Sequence, residues 1–232
     1  NPHKKNEAIP NRNIKCNLKA YQFANFISVA SQHVKESFLL HQYPENRIFV
    51  NPYGVDLSMF KPLPNIPKKY DVIMVGGWGY EKGCDLIVEA IRKTNYSFIH
   101  VGSIKDVDFP QEKNFTHIDP VDQSKLIEYY NQAKVFILPS RQDGFGMVLS
   151  QALACNLPII GSNNCGAPDL KKMVELPEYI TIIKDYTADA IVTAIHTAIK
   201  NYEQLGERIY AGNAIENLTW EAYGKRYANF LH

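Results

Sequence analysis

From Tyr70 onward, short apolar runs alternate with segments of helical period, and this alternation limits the possible folds more than any other feature of the chain. DVIMV (71–75), SFIHVG (97–102), FTHI (115–118), VFILP (135–139), PIIGS (158–162) and YITII (179–183) read as buried strands. Between them lie amphipathic stretches, such as CDLIVEAIRK after the first run and SKLIEYYNQA before the fourth, each long enough for a crossover helix. Strands apolar on both faces and separated by helices require a parallel sheet covered on both sides. The expected fold class is therefore α/β, a parallel sheet with helices on both faces.

Residues 1–60 have a different pattern. FISVAS, a helix-like stretch from Gln32 to His41, and RIFVNPYGVD supply strands and a helix but too few for a sheet of their own. Pro52, Pro62, Pro64 and Pro67 crowd the next stretch, which reads as a linker. The tail TWEAYGKRYANFL sets Trp220, Tyr223, Tyr227 and Leu231 at the spacing of one helix face, a helix in need of a surface to cover. The expected division is a remnant of a preceding domain (1–51), a hinge (52–68), the sheet domain (69–217) and a terminal helix (218–232). The start, NPHKKNEAIP, lacks an initiator methionine and an apolar signal-peptide core, so the chain reads as a piece of a longer one.

Charge narrows the range of partners. Twenty-five lysines and arginines nearly balance 24 aspartates and glutamates, so no long-range field would hold a polyanion, and nucleic acid is not an expected partner. Cys16, Cys84, Cys155 and Cys165 have no C-x-x-C spacing and the seven histidines are scattered, which argues against a disulfide framework or a zinc site. A reducing, cytosolic setting is the expectation, and the cysteines read as small buried fillers. No run approaches a membrane-spanning length of about 18 apolar residues, although peripheral contact with a membrane surface stays open. The sequons at Asn95, Asn114 and Asn217 are no more than chance supplies.

Two loops carry the chemistry. VGGWGYEKG (75–83) leads from the first strand straight into a helix, so amides at the helix start can face an anion while Gly76 and Gly77 allow close approach. It matches neither a Walker loop nor the G-x-G-x-x-G spacing, and the alternative is a tight turn with a solvated Lys82. The second loop, RQDGFGMVLSQALACNLPII, places Asp143 in the turn, Gly144 and Gly146 around Phe145 and Met147, and Gln151 inside the helix. A helix N-terminus stabilises an anion by roughly 0.3–1 kcal/mol. The alternative is Asp143 as a plain cap and Gln151 as a surface residue. Asn156 before Leu157 and Pro158 would end this helix in the left-handed conformation.

These residues resemble glycosyltransferase family 4, the group 1 glycosyltransferases of the two-domain GT-B fold, over nearly the whole chain. DVIMVGGWGYEKGCDLIVEAI resembles the first strand, loop and helix of the family's Rossmann-like donor domain, and PSRQDGFGMVLSQALACNLPII resembles its donor signature. ISVASQHVKESF resembles the end of the acceptor domain and NPYGVDLSMFKP the hinge. CGAPDL is similar to the following glycine-rich turn, and the TWEAY helix to the crossover that returns to the acceptor domain. The resemblance implies a retaining transferase that takes a nucleoside-diphosphate-sugar donor and no metal, with a saccharide or lipid-linked acceptor bound by a missing N-terminal domain. It implies work in the cytoplasm or at the inner face of the membrane, in polysaccharide biosynthesis. Lys82 would hold the diphosphate, Asp143 would face sugar hydroxyls, amides from Phe145 to Met147 would bind phosphate and Gln151 would bind ribose. Asp119 and Val121 would lie near the base.

The family pairs an arginine with the loop lysine and sets two glutamates eight residues apart, where this chain has Gly77, Asp143 and Gln151. Gln151 offers a neutral hydrogen bond, worth about 0.5–1.5 kcal/mol against about 1.5–3 for a charged one. Losing a preorganised cation at Gly77 costs more, because such donors stabilise the departing diphosphate. Arg141 is the expected replacement, and Lys82, Asp143 and Arg141 form the expected catalytic set. A donor-binding or partner-binding module without catalysis is the rival reading, and a GT-B-shaped epimerase a third. Asp106-Val107-Asp108 reads as a solvated loop rather than a metal pair, and His100 and His117 as core-edge histidines. Trp78 could stack on a base or sugar, or pack against a domain partner.

Overall fold

The structure is a computed structural model that describes the backbone of residues 11–205 and 212–232. The opening decapeptide, on which the expectation of a longer chain rests, lies outside the described residues. Helix α1 (Asn11–Phe23), strand β1 (Ile27–Val29), helix α2 (Gln32–Leu40) and strand β2 (Ile48–Val50) come first. The pattern gave no sign of α1, whose mixed sequence buries little, and Cys16 lies exposed on it rather than filling a core. β1 and β2 pair in parallel through Ile27 and Ile48, with α2 as the crossover, so this segment is one βαβ unit.

The main sheet begins with β3 (Tyr70–Val75), followed by α3 (Cys84–Arg92), β4 (Phe98–Val101), β5 (Phe115–Ile118), α4 (Gln123–Asn131) and β6 (Ala133–Leu138). It continues through α5 (Met147–Ala154), β7 (Ile159–Ser162), α6 (Ala167–Met173), β8 (Ile180–Ile183) and α7 (Ala188–Leu205). All six strands are parallel, in the order β5-β4-β3-β6-β7-β8, and each coincides with one of the apolar runs. Val72, Ile73, Met74, Val135, Phe136, Ile137, Ile159 and Ile160 are wholly buried, as strands covered on both faces must be. α3 buries Leu86, Ile87, Val88, Ala90 and Ile91 and packs along α7. α5 ends as its sequence predicts, with Asn156 at φ 67°. CGAPDL is more than a turn: α6 begins within it, with Pro168 in its first turn.

The proline-rich stretch is held at several points. Phe60 is buried edge-on against Tyr130, and the Asn131 side chain accepts from Leu63 N at 2.7 Å and donates to Lys61 O at 3.1 Å. Val55 N donates to Leu218 O at 2.7 Å, which ties the stretch to the tail. The tail helix α8 (Trp220–Leu231) finds its surface on the first segment. Phe230 stacks on Phe49 with centroids 4.1 Å apart, and Arg226 donates to Asn51 Oδ1 at 2.6 Å and Pro52 O at 2.7 Å. The packed face therefore runs through Tyr223, Tyr227 and Phe230, with Trp220, partly exposed, against Tyr53 and Tyr223 at its start, whereas Leu231, expected on it, is exposed. At about 100° per residue Phe230 lies on the side of Tyr223 and Leu231 on the opposite side, beyond Trp220, so a contact line centred on Tyr223 and Tyr227 takes in Phe230 and leaves Leu231 out.

Candidate donor-binding cleft

The strand order decides where the two loops meet. β3 lies between β4 and β6, and the chain winds outward to β5 before returning to β6 and winding the other way. The carboxyl ends of β3 and β6 are thus neighbours whose following loops diverge, which opens a crevice at the topological switch point. A cavity of about 660 Å³ occupies it, lined by Gly76 and Lys82 from the first loop and by Asp143, Gly144, Phe145, Gly146 and Met147 from the second. Its outer wall comes from the first βαβ unit, through Val29, Ala30, Val34 and Phe38.

Lys82 sits at the end of a 3-10 turn (Tyr80–Lys82), and its Nζ donates to Asp143 Oδ2 at 2.7 Å. The other carboxylate oxygen of Asp143 accepts from Phe145 N at 3.2 Å, so this residue caps its turn and pairs with the lysine at once. The Phe145 amide, expected among the phosphate donors, is thereby directed to Asp143. The Phe145 ring is buried edge-on to Tyr53. Gly146 (φ 77°) precedes α5, and a Cβ there would lie 2.8 Å from Leu138 Cδ2, so a side chain would be strained by its conformation and would press on Leu138. Gly76 (φ 126°), which lines the cavity, has open space where a Cβ would stand.

Arg141, the expected replacement cation, is not among the residues that line this cavity. Its guanidinium grips Asp85 with both arms, at 2.6 and 2.8 Å, donates to Tyr80 O at 2.6 Å and lies 3.7 Å over the Tyr80 ring. A planar fork that meets a carboxylate this way satisfies its charge locally, so Arg141 binds the second loop to the first loop and α3. Arg141 N also donates to Glu81 O at 2.8 Å, a further tie between the same two loops.

Gln151 is buried on α5 and lines a smaller hollow of about 200 Å³ with Met59, Phe60, Gln123, Met147 and Trp220. Its Oε1 accepts from the buried Tyr130 hydroxyl at 2.9 Å, which leaves the amide N–H groups for a ligand. Met147 lines both spaces, so hollow and cleft adjoin. Asp119 is exposed beside His117 Nε2 at 3.4 Å, and Val121 packs partly against the core.

The histidines lie within the sheet and support the first loop. His100 Nε2–H donates to Gly76 O at 2.8 Å, so its Nδ1 must accept, and His117 Nδ1–H is the donor to it at 3.0 Å. Burial pushes His100 down to about 4, and the neighbouring His117 adds to the shift. Trp78 has no face open to a ligand: it is wholly buried under the loop among Phe98, His100 and Phe109. Asp106 accepts from Tyr80 N at 2.9 Å, which gives it a structural task in that turn.

Several partners in the site escaped the sequence pattern. Ser31 caps α2, accepting from Val34 N at 3.3 Å, and also donates to Gly144 O at 2.6 Å. Gln32 N donates to both oxygens of Asp169 at 3.1 and 3.2 Å, and burial raises the pKa of that carboxyl. A serine before α2 and an acid in the first turn of α3 are helix-start signals that a sequence can carry. Their partners across the chain leave no such signal.

The family described as "Glycosyl transferases group 1" matches residues 58–214. A probable sucrose-phosphate synthase of Thermosipho melanesiensis is 25% identical over 91% of this chain, which spans 55% of that protein. Among solved structures, the sucrose-phosphate synthase of Thermosynechococcus elongatus superposes with a TM-score of 0.74 at 19% identity, covering 98% of this chain and 63% of that one. HepE of Anabaena, in complex with UDP and glucose, superposes at 0.76 and 17% identity, covering 99% and 69%.

Proposed function

The chain belongs to the group 1 glycosyltransferases, and from that membership we propose that it is the donor-binding part of a retaining enzyme that moves a sugar from a nucleoside diphosphate to a saccharide or lipid-linked acceptor. The observation that carries this reading is the meeting of Lys82, Asp143 and the Gly144–Met147 turn around one cavity at the sheet's switch point. When the bond between the anomeric carbon and the phosphate oxygen breaks, negative charge collects on the leaving diphosphate. Lys82 and the amides that open α5 are fixed in place to receive it, a form of stabilisation that needs no metal. In the unliganded arrangement Asp143 holds Lys82, and a bound diphosphate would take the ammonium and turn the carboxylate toward sugar hydroxyls. The adjoining hollow at Gln151 suits the ribose, which would accept from the amide. The first βαβ unit forms the outer wall, the side on which an acceptor-binding domain would stand.

The chain spans about half the length of the probable sucrose-phosphate synthase it matches, and transfer is proposed of the full-length protein rather than of this span alone. Among the described residues no helix is long and apolar enough to cross a membrane, and the proposed setting is the cytoplasm or the inner membrane face. The relative crystallised with UDP and glucose makes UDP-sugars the first donors to try. The test is calorimetric titration of this chain with UDP, GDP and ADP, then assay of the full-length protein for hydrolysis or transfer of the matching sugars. Absence of binding at millimolar nucleotide would overturn the reading. Tight binding without turnover would favour the silent module, the reading that Gly77 and the neutral Gln151 support.

A further inference from the structure

Both cations expected at the cleft already have carboxylate partners: Lys82 meets Asp143 at 2.7 Å and Arg141 meets Asp85 at 2.6 Å. Gly77 contributes no side chain. A diphosphate bearing two or more negative charges would therefore find little net positive charge on the first loop, apart from backbone dipoles.

The loop after β4 brings a further lysine, Lys105, beside the glycine loop. Trp78 N donates to Ser103 O at 2.8 Å and Lys105 N donates to Trp78 O at 2.9 Å, so residues 103–105 run in register beside the glycine loop. The buried Trp78 ring anchors that register from below. The Lys105 side chain folds over Gly77 into the volume that a residue there would fill. A Cβ built on Gly77 would collide with Lys105 Cε and stand 2.9 Å from its Nζ. Among the described residues Lys105 pairs with no carboxylate, and its neighbour Asp106 is turned to the Tyr80 amide.

We propose that Lys105 is a phosphate-binding residue that supplies, from the loop after β4, the second cation that the glycine loop lacks at Gly77. The assignment rests on the donor-binding reading above and deepens it. Glycine at 77 and lysine at 105 are coupled, since a side chain at 77 would displace the tip of the lysine from its present position. Because Lys105 is exposed, its contribution is moderate and sensitive to salt.

The experiment is titration of the chain with UDP, GDP and ADP, and with the corresponding nucleosides, at low and high salt. Lys105→Ala is expected to weaken the best-bound nucleoside diphosphate by about 3- to 10-fold at low salt. Affinity for the nucleoside should not change, Lys105→Arg should restore the loss, and the difference should shrink at high salt. Gly77→Ala should displace the lysine and give a similar loss, and the double variant should be no worse than either single one. Lys113→Ala, a lysine of the same connection, serves as the control for general charge. If Lys105→Ala binds the diphosphate as the parent does, or if its loss and that of Gly77→Ala add in full, the assignment is overturned while the donor-binding reading stands. If the parent chain binds no nucleoside diphosphate, both fall.

Discussion

Lys82 Nζ and Asp143 Oδ2 stand 2.7 Å apart across 61 residues of sequence, and this one ion pair joins the loops after β3 and β6. It sets two roles against each other, because the carboxylate that orders the lysine also competes with any phosphate for it. Lys82→Ala should weaken nucleoside diphosphate binding by about 10- to 100-fold, the loss of one charge-assisted contact. Asp143→Asn should leave that affinity unchanged or raise it a few-fold, yet abolish sugar transfer by the full-length protein. Equal losses of nucleotide affinity in the two variants would contradict this division of labour.

Arg141 and Asp85 form a structural clamp. Each partner is about one quarter to one third exposed, so solvent screening reduces the pair's worth. Arg141→Ala should lower stability by about 1–2 kcal/mol in denaturant unfolding, and a double-mutant cycle with Asp85→Ala should recover about 0.5–1.5 kcal/mol as coupling. Nucleotide affinity should fall only as far as the loops loosen, so an effect as large as that of Lys82→Ala would return Arg141 to the ligand.

Gly146 and Gly144 stand two residues apart and should respond differently. Gly146→Ala forces a Cβ to φ 77° and against Leu138, and should cost about 1–3 kcal/mol by thermal unfolding. At Gly144 the nearest atom to an added Cβ is Val34 Cγ2 at 3.9 Å, so Gly144→Ala should be close to neutral in stability. Equal melting temperatures for the two variants would contradict the turn geometry described here.

His100 makes stability depend on pH. Its folded pKa lies near 4, below the ordinary 6.5 that it regains on unfolding. Between those values the unfolded chain binds a proton that the native chain refuses. The stabilisation is complete above about pH 6.5 and is lost as pH falls toward 4, up to about 3 kcal/mol in all. His100→Gln should flatten the unfolding free energy across that window, and an unchanged slope would place the pH dependence elsewhere.

Phe230 holds the tail helix on Phe49. Phe230→Ala should release α8 locally, raising amide exchange from Trp220 to Leu231 while β3 and β6 keep their protection. Uniform loss of protection through the sheet would instead make the tail part of the main cooperative unit.

The main sheet was legible in the sequence because each buried parallel strand must be apolar on both faces, and that is a local property of runs such as DVIMV and VFILP. The glycine loops and Asn156 were legible for the same reason: their backbone conformations are set by the residue itself. Local pattern also revealed a tail helix, but the packed face passes through Phe230 rather than Leu231, because a helix presents whichever residues its docking partner reaches. What the tertiary structure alone decided is pairing. Whether Arg141 faces a ligand or Asp85, whether Trp78 stacks on a sugar or fills the core, and which lysine lies over Gly77 all depend on segments 20 to 60 or so residues apart being brought within hydrogen-bond reach. A charge seeks the nearest opposite charge in space, and the strand order, not the order of residues, sets that distance.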